Sequence, residues 1–211
     1  INLENKKKLE AVIKEFKPDT VFHIAGQPGV LYSFKNPLSY KKNNIIATKN
    51  LSLICKKYNI KKFIFASSSS VYGLNTSKPF SIHEPTNHPI SLYAATKKSN
   101  ELFAHTYSYL YQLPTTGLRF FTVYGPAGRP DMAPWLFTEA ISSGEPIQIF
   151  NNGEMYRDFT YIDDIINGIN ILLQTAQNTP DKLEDIYCIG RGEKVMLMDF
   201  VDEIENNLSR K

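Results

Sequence analysis

The chain reads as an α/β protein built on a parallel, doubly wound sheet. Short runs that are apolar at nearly every position alternate with longer stretches of helical period, and the runs end in small or hydroxyl-bearing residues. A run without polar alternation fits a strand buried on both faces, the situation in a parallel sheet covered by helices. The order strand, helix, strand, helix, strand then implies right-handed crossovers within one sheet. Ligands of such sheets gather beyond the carboxyl ends of the strands. Three segments therefore draw attention before any motif is considered: Ala25 to Gln27, Ser67 to Ser70, and Thr122 to Gly125.

Each element has its own signal. Leu9, Val12, Ile13 and Phe16 recur at helical spacing, and Lys17-Pro18-Asp19 stops that helix. Thr20 to Gly26 is the first strand, followed by a polar loop. A second helix runs from about Pro37 to Tyr58, with Ile45, Leu51 and Ile54 near one face. Lys61 to Ala66 is the second strand and leads into the serine run. A loop rich in Pro, Asn and His spans Lys78 to Ile90, a third helix runs from Ser91 to about Gln112, and Thr115 to Val123 forms a third strand. After Pro126 the composition changes: Gly128, Pro130, Pro134, Gly144, Pro146 and Gly153 punctuate shorter elements, and Asp199, Phe200, Ile204 and Leu208 mark one more helix. Two domains are expected, residues 1–125 carrying the sheet and residues 126–211 forming a smaller mixed lobe with one segment returning to the first.

Composition narrows the class. The 211 residues are 42% hydrophobic and 21% charged, an ordinary globular balance. A net charge of +3 leaves no electrostatic footprint for nucleic acid or an anionic membrane. No apolar run approaches the roughly 20 residues that span a bilayer, and Ile1 to Lys8 lacks the order of a signal peptide. Cys55 and Cys188 lie far apart beside apolar residues, as expected of reduced thiols in the cytoplasm. No metal is expected.

The chemistry centres on Tyr93-Ala94-Ala95-Thr96-Lys97. On a helix, positions i and i+4 share a face, so phenol and ammonium project together. A neighbouring cation favours phenolate and makes Tyr93 a candidate proton acceptor near neutral pH. The same spacing occurs at Tyr58 and Lys62, but Tyr58 precedes the amino end of a strand and faces away from the expected site.

Tyr93, Lys97 and the hydroxyls of Ser67 to Ser70 together resemble the Ser-Tyr-Lys set of short-chain dehydrogenases/reductases. Six segments extend the likeness to the nucleotide-sugar epimerases and dehydratases of that superfamily: Phe22 to Gln27, Asn44 to Leu51, Ser67 to Gly73, Ser91 to Lys97, Leu118 to Pro126 and Arg157 to Asp164. They keep family order and spacing along nearly the whole chain. Within the family, Pro89 to Lys98 and Gly117 to Pro130 look most like bacterial UDP-glucuronate 4-epimerases.

That resemblance implies a Rossmann-type sheet, bound NAD and a UDP-sugar substrate. Tyr93 would take the proton from the sugar 4-hydroxyl while hydride passes from C4 to NAD. The keto sugar would then turn over and take the hydride back on its other face. Ser68 would hydrogen-bond the 4-oxygen, and Lys97 would acidify Tyr93 and hold the nicotinamide ribose. Ala25, Gly26, Gln27 and Asn44 would line the cofactor, and Ser69, Ser70, Thr122, Arg129 and Arg157 the substrate, with Arg157 on the diphosphate and Arg129 on a sugar carboxylate. Asp163 and Asp164 fall at a helix start and suit its dipole. Sister chemistries, UDP-glucose/galactose 4-epimerisation or UDP-glucuronate decarboxylation, share this frame. Dehydratases usually carry Asp-Glu immediately after the catalytic hydroxyl, where Ser69-Ser70 stand here. A homodimer through a four-helix contact and a role in capsule or lipopolysaccharide precursors are also implied.

Two departures stand out. Leu31 occupies a position where glucuronate epimerases generally have arginine, and Gly26 replaces a frequent alanine. The family's Gly-x-x-Gly-x-x-Gly loop, which brings backbone amides to the pyrophosphate, does not occur in the sequence. The sheet is accordingly expected to lack its first three strands, and the second lobe is expected to be incomplete. A truncated remnant that binds nucleotide-sugar without catalysis is the non-enzymatic alternative.

Overall fold

The computed structural model describes residues 1–76, 79–175 and 183–210. Lys78, where the Pro-rich loop was expected to begin, lies outside them. Backbone contacts divide the chain into two units, Ile1–Phe120 with Thr175–Cys188, and Phe121–Gln174 with Ile189–Lys211.

In the first unit, α1 (Lys6–Phe16) is capped by the Asn5 side chain, which accepts from the Lys8 amide, and ends at Lys17 in the left-handed conformation. β1 (Thr20–His23), β2 (Lys62–Ser68) and β3 (Thr115–Phe120) pair in parallel, Thr20 opposite Lys62 and Phe63 opposite Thr115. β7 (Glu184–Ile189) completes the order β1-β2-β3-β7. Among the described residues β1 is thus an edge strand, with Phe22 on it and Ile24 just beyond its end both exposed. Helices α1, α4 (Ala47–Lys57) and α5 (Leu92–Tyr111) supply Leu9, Ile13, Leu51, Ile54, Cys55 and Ala104 to a core around Phe63 and Phe65.

Three expectations need correction. The loop after β1 contains a short helix, α2 (Val30–Lys35), entered through Gly29 at φ 97°. The tyrosine that begins the next stretch fixes it: Tyr40, fully buried, places its hydroxyl 2.7 Å and 2.6 Å from the Pro28 and Gly29 carbonyls. The helix expected from Pro37 is not uniform either; α3 (Pro37–Tyr40) passes through a π-helical turn, Lys41–Ile46, before α4. Such turns insert an extra residue and re-aim side chains. Finally, Thr115 to Val123 is two strands. Ser68 is the last β2 residue and pairs with Phe120, after which β2 turns into a short 3₁₀ helix, Ser69–Tyr72, and offers no further ladder. The chain then enters the second unit, where β4 (Thr122–Tyr124) pairs in parallel with β6 (Phe159–Tyr161).

The second unit also contains α6 (Ala133–Ser143), β5 (Tyr156–Arg157) antiparallel to β8 (Val195–Met196), α7 (Ile162–Thr175) and α8 (Leu197–Leu208). Its own core gathers Phe137, Ile141, Phe159, Leu197 and Val201. Asp163 and Asp164 fall in the first turn of α7. No helix among the described residues is long and apolar enough to cross a membrane, and both cysteines are free thiols. Burial pushes the Cys55 thiol up to about 12.

Candidate active site

The site in the first unit is assembled where α5 crosses the carboxyl end of β2. Ser91 caps α5, its side chain accepting from the Ala94 amide, so Tyr93 sits in the first turn and Lys97 one turn on. Lys97 is buried, donates from Nζ to the Ala66 carbonyl at 2.8 Å, and lies 5.8 Å from the centre of the Tyr93 ring. Burial pulls its ammonium down to about 8. Tyr93 is half-buried and meets the Tyr40 ring edge-on at 6.2 Å. The strand that anchors Lys97 at Ala66 ends two residues later at Ser68, whose Oγ accepts from the Ser70 amide and lies 3.2 Å from the Ser70 hydroxyl. The serine run is therefore an ordered 3₁₀ turn that presents hydroxyls at the strand tip. The competing Tyr58 hydroxyl instead bonds Glu10 at 3.0 Å, beside the first helix.

A second group joins the end of β1 to α5. Asn44, on the π-helical turn, is only 1% exposed. Its Oδ1 accepts from the Gln27 amide at 2.7 Å, and its Nδ2 donates to the Gln27 carbonyl at 3.0 Å and to Thr96 Oγ1 at 2.9 Å. Thr96 Oγ1 in turn donates to the Tyr93 carbonyl at 2.8 Å. One amide therefore ties the Ala25 to Gln27 loop to α5. Truncation removes three hydrogen bonds, one of them buried and two partly buried, and each group left unsatisfied costs about 1–3 kcal/mol when buried. Asn44→Ala is expected to lower stability by on the order of 3 kcal/mol, read as a fall in the urea midpoint at unchanged slope; an unmoved midpoint would show that the brace is not needed.

Sequence reasoning missed several neighbours. His23, buried under Thr48 with Nε2 2.9 Å from its hydroxyl, is pulled down to about 4 by burial and by the Lys97 charge, so it is neutral. Glu101, one turn beyond Lys97, accepts from Ser67 Oγ at 2.7 Å and from Arg119 Nε and Nη2 at 2.9 and 3.0 Å. A charged residue inside an apolar strand such as Thr115 to Phe120 signals a buried partner, and Tyr93, Lys97 and Glu101 share one helical face by spacing.

Thr122, Arg129 and Arg157 belong to the second unit. Thr122 opens β4, its amide donating to the Asp158 carbonyl at 3.1 Å. Arg129 forms a two-pronged pair with Asp131, at 3.0 and 2.5 Å. It lines a cleft of about 240 Å³ together with Tyr124, Gly125, Met132, Trp135 and Thr138. Arg157 lies exposed on β5 with Nη1 on the Tyr156 carbonyl. Asp158, next to it, is structural: its carboxylate takes the Arg191 and Gly192 amides and the Thr160 hydroxyl.

Comparison with known proteins gives this geometry a context. The chain is 49% identical to Protein CapI of Staphylococcus aureus across its whole length and 67% of that protein. It is 41% identical to a probable UDP-glucuronate 4-epimerase of Rhizobium meliloti, over 99% of the chain and 65% of that protein. Among solved structures, a UDP-glucuronic acid 4-epimerase from Bacillus cereus, in complex with UDP-glucuronic acid and NAD, superposes with a TM-score of 0.85 at 35% identity, covering 96% of this chain and 63% of that one. The chain thus spans about two thirds of the length of these relatives. A family model described as NAD dependent epimerase/dehydratase matches residues 1–190, and the chain belongs to that family.

Proposed function

We propose that the protein carrying this chain interconverts the 4-epimers of a UDP-sugar, with UDP-glucuronate to UDP-galacturonate as the reaction. The observation that carries the reading is the buried Lys97 ammonium, fixed by the Ala66 carbonyl near the Tyr93 ring, with Ser68 two residues further along the same strand. A phenol acidified by a fixed cation can take a proton from a hydroxyl and return it, a contribution of about 10²- to 10⁴-fold. Ser68 holds the same oxygen by a hydrogen bond and so keeps the accepting phenolate in line.

The residues at the end of β1 fit NAD. Ala25 and Gly26 offer a surface with almost no side chain, and a Cβ on Gly26 would come within 2.9 Å of Asn44 Oδ1, so this backbone is already drawn close to its brace. Ala25, Gly26, Gln27 and Asn44 would form that wall, with Lys97 and Tyr93 at the reacting end. Bound NAD supplies a reversible hydride acceptor, so the overall reaction needs no outside oxidant or reductant.

Ser69, Ser70 and Thr122 would donate to the sugar, Arg157 would hold the diphosphate, and Arg129 would exchange the Asp131 carboxylate for that of the substrate. A homodimer through a four-helix contact that includes α4 and α5 accompanies this reading, supported by exposed Leu102 and Tyr109 one heptad apart on α5. Work in the cytoplasm, feeding a surface polysaccharide, follows the same reading.

The test is to incubate the full-length protein with UDP-glucuronate and NAD and identify the product. UDP-galacturonate is expected. A UDP-pentose would assign a decarboxylase, and turnover of UDP-glucose alone would assign a neutral-sugar epimerase, to which Leu31 in place of the family arginine would then contribute.

A further inference from the structure

Behind the catalytic turn lies a buried ionic network that the reaction itself does not use. Glu101 and Arg119 are 2% exposed each. The Glu101 carboxylate accepts from Ser67 Oγ, from the Arg119 fork and, at 3.3 Å, from Lys98 Nζ. The fork's remaining nitrogen, Nη1, donates to the Tyr72 hydroxyl at 2.9 Å, and Tyr72 donates to the Ser81 carbonyl at 2.9 Å. Burial works to raise the Glu101 carboxyl, but the Arg119 and Ser67 hydrogen bonds outweigh it and hold the group ionised, below its ordinary range.

The placement of the ends of this network is what matters. Ser67 and Arg119 are directly paired across β2 and β3. Ser67 precedes Ser68, and Tyr72 closes the 3₁₀ turn that Ser68 begins. The hydroxyl-bearing turn is therefore gripped at both ends by one ion pair. On the helix side, Lys97 and Glu101 reach consecutive residues of β2, Ala66 and Ser67. A helix pinned to a strand at two successive turns and two successive residues has no freedom to slide.

We infer that the Glu101–Arg119 pair is a positioning device that sets Ser68 relative to Tyr93 and Lys97. The inference rests on the proposed function. It assigns Glu101 and Arg119 no contact with substrate; they act through the Ser67 to Tyr72 turn. A fully paired buried ion pair adds little net stability but fixes one arrangement, and it is costly only when one partner is removed.

The test uses the full-length protein. Glu101→Gln keeps the size of the side chain and removes the charge and one accepting oxygen. It is expected to lower kcat roughly 10- to 100-fold, the cost of a displacement of about 1 Å at a reacting group, with KM for the UDP-sugar and NAD affinity within twofold. In a Ser68→Ala background the same substitution is expected to add less than twofold, because residues that act as a unit are not additive. A wild-type kcat in Glu101→Gln, or a loss that adds in full to that of Ser68→Ala, would overturn the inference. Should Glu101→Gln fail to fold, Ser67→Ala cuts only the last link of the chain, and a kcat reduced by at least threefold at unchanged KM is expected; an unchanged kcat would overturn it equally. Tyr93→Phe is measured alongside. An active Tyr93→Phe sinks the catalytic reading itself, whereas an inactive Tyr93→Phe beside a fully active Glu101→Gln sinks the positioning role alone.

Discussion

Replacing Tyr93 with phenylalanine is expected to lower kcat by about 10²- to 10⁴-fold and to leave UDP-sugar and NAD binding within a few-fold. The substitution removes one oxygen and keeps the ring, with its edge-on contact to Tyr40 and its place beside Lys97. A fall in kcat with binding unchanged therefore reads on the hydroxyl and not on the ring. Steady-state kinetics with product analysis and calorimetric binding separate kcat from affinity. A variant retaining half of wild-type turnover would remove Tyr93 from the chemistry, and the enzymatic assignment with it.

Lys97→Met carries the second large effect, and it has two signs. Turnover should fall at least 100-fold, because the fixed cation beside the Tyr93 ring is gone. Stability should not fall. Burial holds the folded ammonium at about 8, below its ordinary 10.5. Below about pH 8 both folded and unfolded chains carry the proton, and the fold bears the whole cost of burying the charge. Between about 8 and 10.5 the folded chain sheds a proton that the unfolded chain keeps, so stability rises with pH. The cost amounts to about 3 kcal/mol at neutral pH, set against a charge-assisted hydrogen bond to Ala66 worth about 1.5–3 kcal/mol. Lys97→Met should therefore melt at or above the wild-type temperature at pH 7 and lose this part of the rise between pH 8 and 10.5. Wild-type turnover should decline as Lys97 deprotonates above about pH 8. A variant that melts well below wild type at pH 7 would show that the charge is compensated after all.

How far the sequence reached can be traced in particular residues. Periodicity and apolar runs placed α1, β1, β2 and α5, because strand burial and helical faces are written locally in residue order. The i,i+4 pairing of Tyr93 with Lys97 was legible for the same reason. What local pattern does not hold is where a ladder ends. Nothing within Thr115 to Val123 says that β2 curls away opposite Phe120 and leaves Thr122 to a different sheet. The α2 helix was hidden because its support comes from Tyr40, at the start of the next helical stretch. Glu101 and Arg119 were visible only as charges in apolar surroundings, since their partnership spans a helix and a strand.

The π-helical turn at Asn44 has one further mechanical result. An ordinary helical turn would rotate that amide by about 100° and aim it elsewhere. The extra residue lets a single side chain clasp the Gln27 backbone on both sides while leaning on Thr96. The backbone just beyond the first strand is thus tied, through Asn44 and then Thr96, to the Tyr93 carbonyl in the first turn of α5.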